Sequence, residues 1–385
     1  MMYPKQIISK INKFMGRIYD AGLSFVYDFQ YSKLLQRAKD NGYIQSVTRE
    51  ELRAYKARWA PLGRSVNAVY YKLFSAYVGK DLNLIPEDIA HSVVEALLNP
   101  PAQRGPFSDK NLFDRIVGPK MMPRTFLRCM DGVFYDADYH LWRGDDKMFY
   151  ALFSSQSRLV AKATVDTSSG LDVLLFERND SEWCDSTNGE VLTLAYLQNR
   201  LGDNFIVQEC LIQSAFMAQF CRTAVNTLRL LVYRSVKDDS IHLCNAIMRI
   251  GRDGSFLDNA HQGGASIGIT ADGELRKSLV NQYGDRFTIF NGIDYSKQTY
   301  QIPQWTKIEE FAKTVAAQIP FHRVLNLDVM IDADGQPRLI EYNIRSMGVW
   351  VYQFNNGSCF GSYTDEIIDY CAAHRKEIKS EYLYL

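Results

Sequence analysis

The stretch from Asn326 to Asn343, NLDVMIDADGQPRLIEYN, constrains this chain most. Two apolar, alternating segments are joined by Asp334-Gly335, and an Asp-Gly pair between such segments predicts a tight hairpin. Asp328 lies on the first strand, and Glu341 and Asn343 lie on the second. Side chains alternate faces along a strand, so Glu341 and Asn343 share one, and Asp328 can lie opposite them across the hairpin. Two carboxylates and an amide oxygen on one face form a hard-oxygen set. Magnesium takes such ligands together with phosphate oxygens and water. The same residues also fit a merely solvated polar face, so the rest of the chain has to decide.

At 385 residues the chain exceeds the usual span of one hydrophobic core, and two or three structural units are expected. Lysine plus arginine equal aspartate plus glutamate, 44 against 44. Bulk charge therefore argues for neither a nucleic-acid nor a membrane-surface partner. The seven cysteines are spread singly, with no CxxC pair. That pattern fits reduced thiols in a cytoplasmic protein better than a disulfide framework or a zinc site. No run approaches the ~20 apolar residues needed to cross a bilayer. A basic amphipathic helix over residues 7–19 leaves peripheral contact with an inner membrane as the alternative to a purely cytoplasmic location.

Up to about Leu98 the sequence reads as successive helices. Thr48 followed three residues later by Glu51 is a capping signature. Pro86 sits near the start of a further helix, and Asn99-Pro100-Pro101 ends it. Beyond Pro101 the texture changes to strands mixed with helices. Strands are expected near residues 132–139, 159–164, 173–177, 204–208, 228–234, 241–250 and 325–331. Helices are expected near 191–201, 307–317 and 363–376. This predicts an α+β (α/β) body behind a helical N-terminal region. The expected divisions are 1–105, 106–205 and 206–385.

Three weaker motifs precede the hairpin. Lys162 ends an apolar strand and is followed by the small, hydroxyl- and glycine-rich residues Thr167, Ser168, Ser169 and Gly170. Such a loop can present backbone amides to phosphate oxygens while the lysine supplies a point charge. It is not a Walker motif, because Lys162 precedes the loop. Lys110 stands at a helix start. Gln208, Glu209 and Leu211 close a strand where backbone groups can meet an adenine edge between apolar walls. Each motif also has an ordinary structural reading. His91, His140, His242, His322 and His374 show no metal-ligand spacing and read as surface or satisfied core residues.

In this order the four segments resemble the ATP-grasp superfamily, which holds ATP between two α+β lobes. The resemblance implies that Lys110 and Lys162 clamp the phosphates and that residues 167–170 cover them. It implies that Gln208, Glu209 and Leu211 meet the adenine, and that Asp328, Glu341 and Asn343 bind magnesium. Two ions are expected, with manganese as a substitute. Arg249, with Asn259, His261, Gly263 and Gly264 downstream, looks like a segment of the glutamate-ligase branch, in which the arginine faces the reacting phosphate and the loop borders the acceptor. Asn226, Arg229 and the long helical N-terminus look like the sugar-transfer-associated ATP-grasp family, linked to bacterial surface-polysaccharide synthesis.

The sequence departs from the amino-acid ligases after Asn343, reading Ile344-Arg345-Ser346 where many of them carry Ser-Pro-Gly. The substrate therefore cannot be copied from them. The resemblance implies an ADP-forming carboxylate–amine ligase working through an acylphosphate on a sugar-linked or other small acid and an amine. Arg249, Arg229 and Arg345 are its expected catalytic cations. A small-molecule kinase and a nucleotide-binding partner protein without turnover are the alternatives. Homo-oligomerisation is left open.

Overall fold

The computed structural model describes residues 4–43, 45–62, 66–165, 173–180, 182–254 and 263–378, with residues 4–20 and 23 described by their backbone only. The chain divides into two compact units. One gathers Met1–Arg104, Gln219–Asp328 and Tyr342–Leu385, and the other gathers Gly105–Ala218 and Val329–Glu341.

In the first unit the N-terminal region is helical, with Pro4–Asp40, Arg49–Trp59 and Ala68–Val78 as its main helices. The expected capping box is formed: the Thr48 amide donates to Glu51 Oε2 at 2.8 Å, and the Glu51 amide donates to Thr48 Oγ1 at 3.2 Å. A helical run over residues 87–98 contains a π-helical turn at Ala90–Glu95. Among the described residues no helix is long and apolar enough to cross a membrane.

A seven-stranded sheet is built from β7 (Thr227–Arg234), β8 (Ile241–Ile250), β9 (Ala265–Ile269), β10 (Leu275–Val280), β11 (Arg286–Phe287), β14 (Val324–Ile331) and β15 (Pro337–Asn343), of which residues 329–331 and 337–341 are counted with the second unit. Its order is β11-β10-β9-β8-β7-β14-β15. A small ribbon pairs β12 (Ile289–Phe290) with β13 (Ile293–Asp294). The core joins residues far apart in sequence: Tyr55, Trp59, Tyr70 and Phe74 pack in one cluster with Tyr352 and Phe354. Hydrogen bonds tie the same parts, since Gln353 accepts from the Ile85 amide at 2.6 Å and donates to the Ile85 carbonyl at 3.0 Å.

In the second unit β1 (Thr125–Met130), β2 (Val133–Asp136), β3 (Arg158–Ala163), β4 (Val173–Asn179), β5 (Glu182–Asp185) and β6 (Phe205–Glu209) form a sheet in the order β2-β1-β6-β3-β4-β5. Every pair in it is antiparallel. Its own core centres on Phe149, Phe153, Trp183 and Phe205. The fold is therefore of the α+β kind expected, with antiparallel sheets.

The Asp334-Gly335 turn joins β14 to β15, with Gly335 at φ +73°. Asp272-Gly273 likewise turns between β9 and β10, with Gly273 at φ +84°. At this second turn a Cβ would lie 2.4 Å from Cγ of Trp305, a buried indole fixed by its hydrogen bond to the Ala271 carbonyl. Gly273→Ala should therefore cost more than ~1 kcal/mol, from backbone strain plus overlap with a rigid ring. Chemical denaturation should show a lowered midpoint, and an unchanged one would refute the stated packing at this turn.

Candidate functional site

In the first unit, three neighbouring strands bring three expected residues to one face. β7 and β8 pair Thr227 with Arg249 and Arg229 with Ile247, which makes the two arginines diagonal neighbours on the same side. β14 runs beside β7. Asp328 on β14 accepts from Arg229 Nε and Nη2 at 2.8 Å each, and Arg249 Nη1 stands 3.5 Å from its Oδ2. All eight residues of β14 are buried, and the Asp328 side chain is only 3% exposed.

A carboxylate this far from water needs both oxygens satisfied. The guanidinium fork does so, and stranding such a charge costs about 3–5 kcal/mol. Arg229 is thus a holder of Asp328, and Arg249 adds a second positive charge beside it. Asn343 ends β15 and is half-buried. Beyond it, Arg345 and Ser346 are exposed between the buried Ile344 and Met347.

In the second unit the expected lysines meet Glu341. Lys162 lies on β3, between β6 and β4. It is 9% exposed, and its Nζ donates to the Ile340 carbonyl at 3.3 Å. Lys110 Nζ lies 3.7 Å from Glu341 Oε2. Lys110 sits just after Asp109, whose side chain caps a short 3-10 turn by accepting from the Asn111 amide. Its own amide donates to the Thr164 carbonyl at 3.2 Å. Asn111 Nδ2 donates to Thr164 Oγ1 and to the Cys129 carbonyl, both at 3.0 Å. Thr164 thereby fixes the segment carrying Lys110 two residues from Lys162. Burial lowers the Lys162 ammonium to about 8; Glu341 pulls the other way, and the positive charge of Lys110 adds to the lowering.

Other expected residues are placed differently. The Gln208 side chain is buried and donates to the Pro123 carbonyl and to Thr125 Oγ1, both at 3.2 Å, so it stitches strands together. Glu209 Oε1 accepts from the Arg124 amide at 2.7 Å and from Arg338 at 3.1 Å. Leu211 is half-buried just beyond β6. Gly263 takes a left-handed φ of +87°, and Gly264 is buried. Thr167, Ser168, Ser169, Gly170, Asn259 and His261 lie outside the described residues.

The sequence reading passed over Asn111 and Thr164, which carry no motif. His91 is a satisfied core histidine, as expected, and its partners are Glu87 at 3.0 Å and Glu95 at 3.2 Å, four residues to either side, a spacing visible in the sequence. Burial disfavours the charged ring, yet the two carboxylates raise it to about 10.

Among the described residues no three His, Cys, Asp or Glu side chains gather as a metal site. The expected set is two carboxylates and one carboxamide. Its donors are all hard oxygens, which fits magnesium, an ion that is rarely caged by protein alone.

The model of the sugar-transfer associated ATP-grasp family matches residues 92–367. The chain belongs to that family. No curated protein matches it significantly in sequence. Among solved structures, the family member is similar to D-cycloserine synthetase DcsG at 13% identity and a TM-score of 0.41, covering 71% of this chain and 73% of the other. It is also similar to N5-carboxyaminoimidazole synthetase from Staphylococcus aureus, solved with ADP, at 10% identity and a TM-score of 0.37. That match covers 67% of this chain and 52% of the other. A third is D-alanine–D-alanine ligase from Coxiella burnetii, at 10% identity and a TM-score of 0.36, covering 72% and 62%.

The lowered Lys162 generates a pH test with two opposite signs. The cost of burying its charged form is present below about 8 and is relieved as pH rises toward the ordinary lysine range, so this term makes the apo protein more stable at high pH. Phosphate binding wants the charged form. ATP affinity should hold steady below about 8 and then fall, approaching roughly tenfold per pH unit. Lys162→Arg should flatten that fall. Calorimetric titration from pH 7 to 9.5 checks it, and a flat wild-type profile would remove Lys162 from phosphate binding.

Proposed function

We propose that this ATP-grasp family member is an ATP- and magnesium-dependent carboxylate–amine ligase that forms an acylphosphate from a small, sugar-linked acid. The observation that carries the reading is the double charge pairing: Lys110 with Glu341 in one unit, and Arg229 and Arg249 with Asp328 in the other. Each of the two expected carboxylate ligands is held beside cations of the kind that bind phosphate.

Lys110 and Lys162 hold the nucleotide phosphates. Asp328, Glu341 and Asn343 hold magnesium, which when bound neutralises charge on the phosphate oxygens. Arg249 stabilises the transferring phosphoryl group, while Arg229 holds Asp328 in orientation. Arg345 receives the acid's carboxylate. Backbone groups from Gln208 to Leu211 meet the adenine, and residues 167–170 cover the phosphates. Asn259, His261, Gly263 and Gly264 border the acceptor. In the reaction a carboxylate oxygen displaces ADP from the γ-phosphorus; an amine then displaces inorganic phosphate from the acyl carbon, losing a proton. The sugar-transfer association of the family supports a uronic acid or a similar sugar acid, and a role in polysaccharide assembly.

A peripheral membrane location has its own support. Residues 1–19 carry Lys5, Lys10, Lys13 and Arg17 and no acid. Further along the same helix Phe25, Val26 and Phe29 are 72%, 58% and 57% exposed. Cations combined with exposed aromatic and aliphatic residues fit an anionic lipid surface. The full chain should co-sediment with vesicles containing phosphatidylglycerol and lose this on Phe25→Ser with Phe29→Ser. Equal recovery on neutral phosphatidylcholine vesicles would sink the lipid reading.

The reaction itself is tested with glucuronate and other uronic acids, using hydroxylamine as the amine. Phosphate and hydroxamate should appear together and only when both are supplied. A stable phosphorylated product without amine would mean a kinase, and tight ATP binding with no ADP formed would mean a binding protein. Glu341→Gln should lower turnover roughly a hundredfold or more while leaving the folded state intact, since several kcal/mol of charge stabilisation is lost.

A further inference from the structure

Arg345 stands on a short turn whose backbone is held by buried side chains, an unusual arrangement for an exposed loop. The Met347 amide donates to Glu95 Oε2 at 3.0 Å, and its carbonyl accepts from Asn326 Nδ2 at 3.0 Å. The Ile344 carbonyl accepts from Asn99 Nδ2 at 2.9 Å. Glu95, Asn99 and Asn326 are 2%, 0% and 2% exposed. Between these fixed points Ser346 takes a left-handed φ of +56°, which a serine adopts only when its surroundings impose it.

Each anchor is itself held from a second side. Glu95 ends the π-helical turn and is gripped by His91 Nδ1 at 3.2 Å and by Arg104 Nη2 at 3.3 Å. His91 is held in turn by Glu87 and stacks on Tyr27, with ring centroids 5.3 Å apart. Asn99 makes two further bonds to the head of β14: its Oδ1 accepts from the Val324 amide at 3.1 Å, and its Nδ2 donates to the Val324 carbonyl at 2.7 Å. Asn326 Oδ1 accepts from the Tyr352 hydroxyl at 2.7 Å. One carboxamide, Asn99, therefore bonds both the entry to β14 and the exit from β15.

We infer that Glu95 and Asn99, at the end of the helical N-terminal region, are positioning residues: they fix the turn after β15 so that Arg345 is presented to the acid. This gives the N-terminal region a part in the reaction, and it rests on the ligase reading above for the role of Arg345. The bonds run from buried side chains to the backbone of the turn, so the loss should appear in the acid's kinetics and not in nucleotide binding. A purely supporting role would lower stability while leaving both unchanged.

The test compares wild type with Glu95→Ala, Glu95→Gln and the mild Tyr352→Phe. Hydrogen exchange of residues 343–349, ATP affinity, and hydroxamate formation from glucuronate and hydroxylamine are all measured. Glu95→Ala should speed exchange of this segment at least tenfold and lower kcat/KM for glucuronate about tenfold, with ATP affinity within twofold. Glu95→Gln keeps an acceptor for the Met347 amide and should recover part of that loss. Tyr352→Phe, one bond further out, should shift the same quantities two- to fivefold, and it serves should Glu95→Ala fail to fold. Unchanged exchange would overturn the pin, and faster exchange with unchanged glucuronate kinetics would overturn its role. Absence of any hydroxamate from wild type would instead defeat the ligase reading, and the exchange comparison would still decide the pin.

Discussion

A carboxylate buried on a strand with no exposed residue is the constraint around which the first unit is arranged. Arg229 meets both oxygens of Asp328 there from the adjacent strand, with Arg249 one strand further out. The observed register of β7 against β8 puts both guanidiniums on the side that Asp328 faces, and a one-residue slip would turn one of them away. The pairing also demands a rigid frame. A charge held by a two-point fork tolerates little displacement, and the strand carrying it is fixed at its head by Asn99. In the second unit the same problem is solved more loosely: Lys110 and Glu341 approach to 3.7 Å, and Lys162 keeps a lowered affinity for its proton.

Much of this was legible in the sequence, and the particular residues show why. The Asp-Gly turn and the alternation around it announced β14 and β15, and Thr48 with Glu51 announced the helix they cap. Local chemistry fixes such features, so local reading finds them. β1 escaped because it contains Arg128, which a linear reading assigns to the surface. In the fold Arg128 is fully buried, paired with Asp114 and bonded to the Asn111 carbonyl at 2.6 Å. The helix Val349–Asn355 escaped because VWVYQFN shows no amphipathic period; nearly every side is covered, so there is no polar face to reveal it. Gln208 was read for its backbone groups, and nothing in the sequence shows that its side chain bonds Thr125 and the Pro123 carbonyl.

For the site, the residue types were visible and their partners were not. Nothing in the sequence says that Arg229 must grip Asp328, 99 positions later. Nor does it say that Asn99 bonds both Val324 and Ile344. Such pairings are products of the closed fold. Family membership agrees with the motif order from which the resemblance was drawn, and the geometry adds which cation accompanies which acid.

The way the first unit is assembled has a consequence for how the protein is made. Its core packs Phe74 edge-on against Phe354, with ring centroids 5.0 Å apart, although some 280 residues separate them in the chain. At about 5–20 residues per second, synthesis leaves roughly fifteen seconds to a minute between the emergence of the two rings. During that interval the aromatic face of the early helices has no native cover, whereas the bulk of the second unit, residues 105–218, is already complete. Nascent chains of this protein are therefore expected to depend on chaperone shielding of their earliest segment, and C-terminal truncations should be lost to aggregation before they can be assayed.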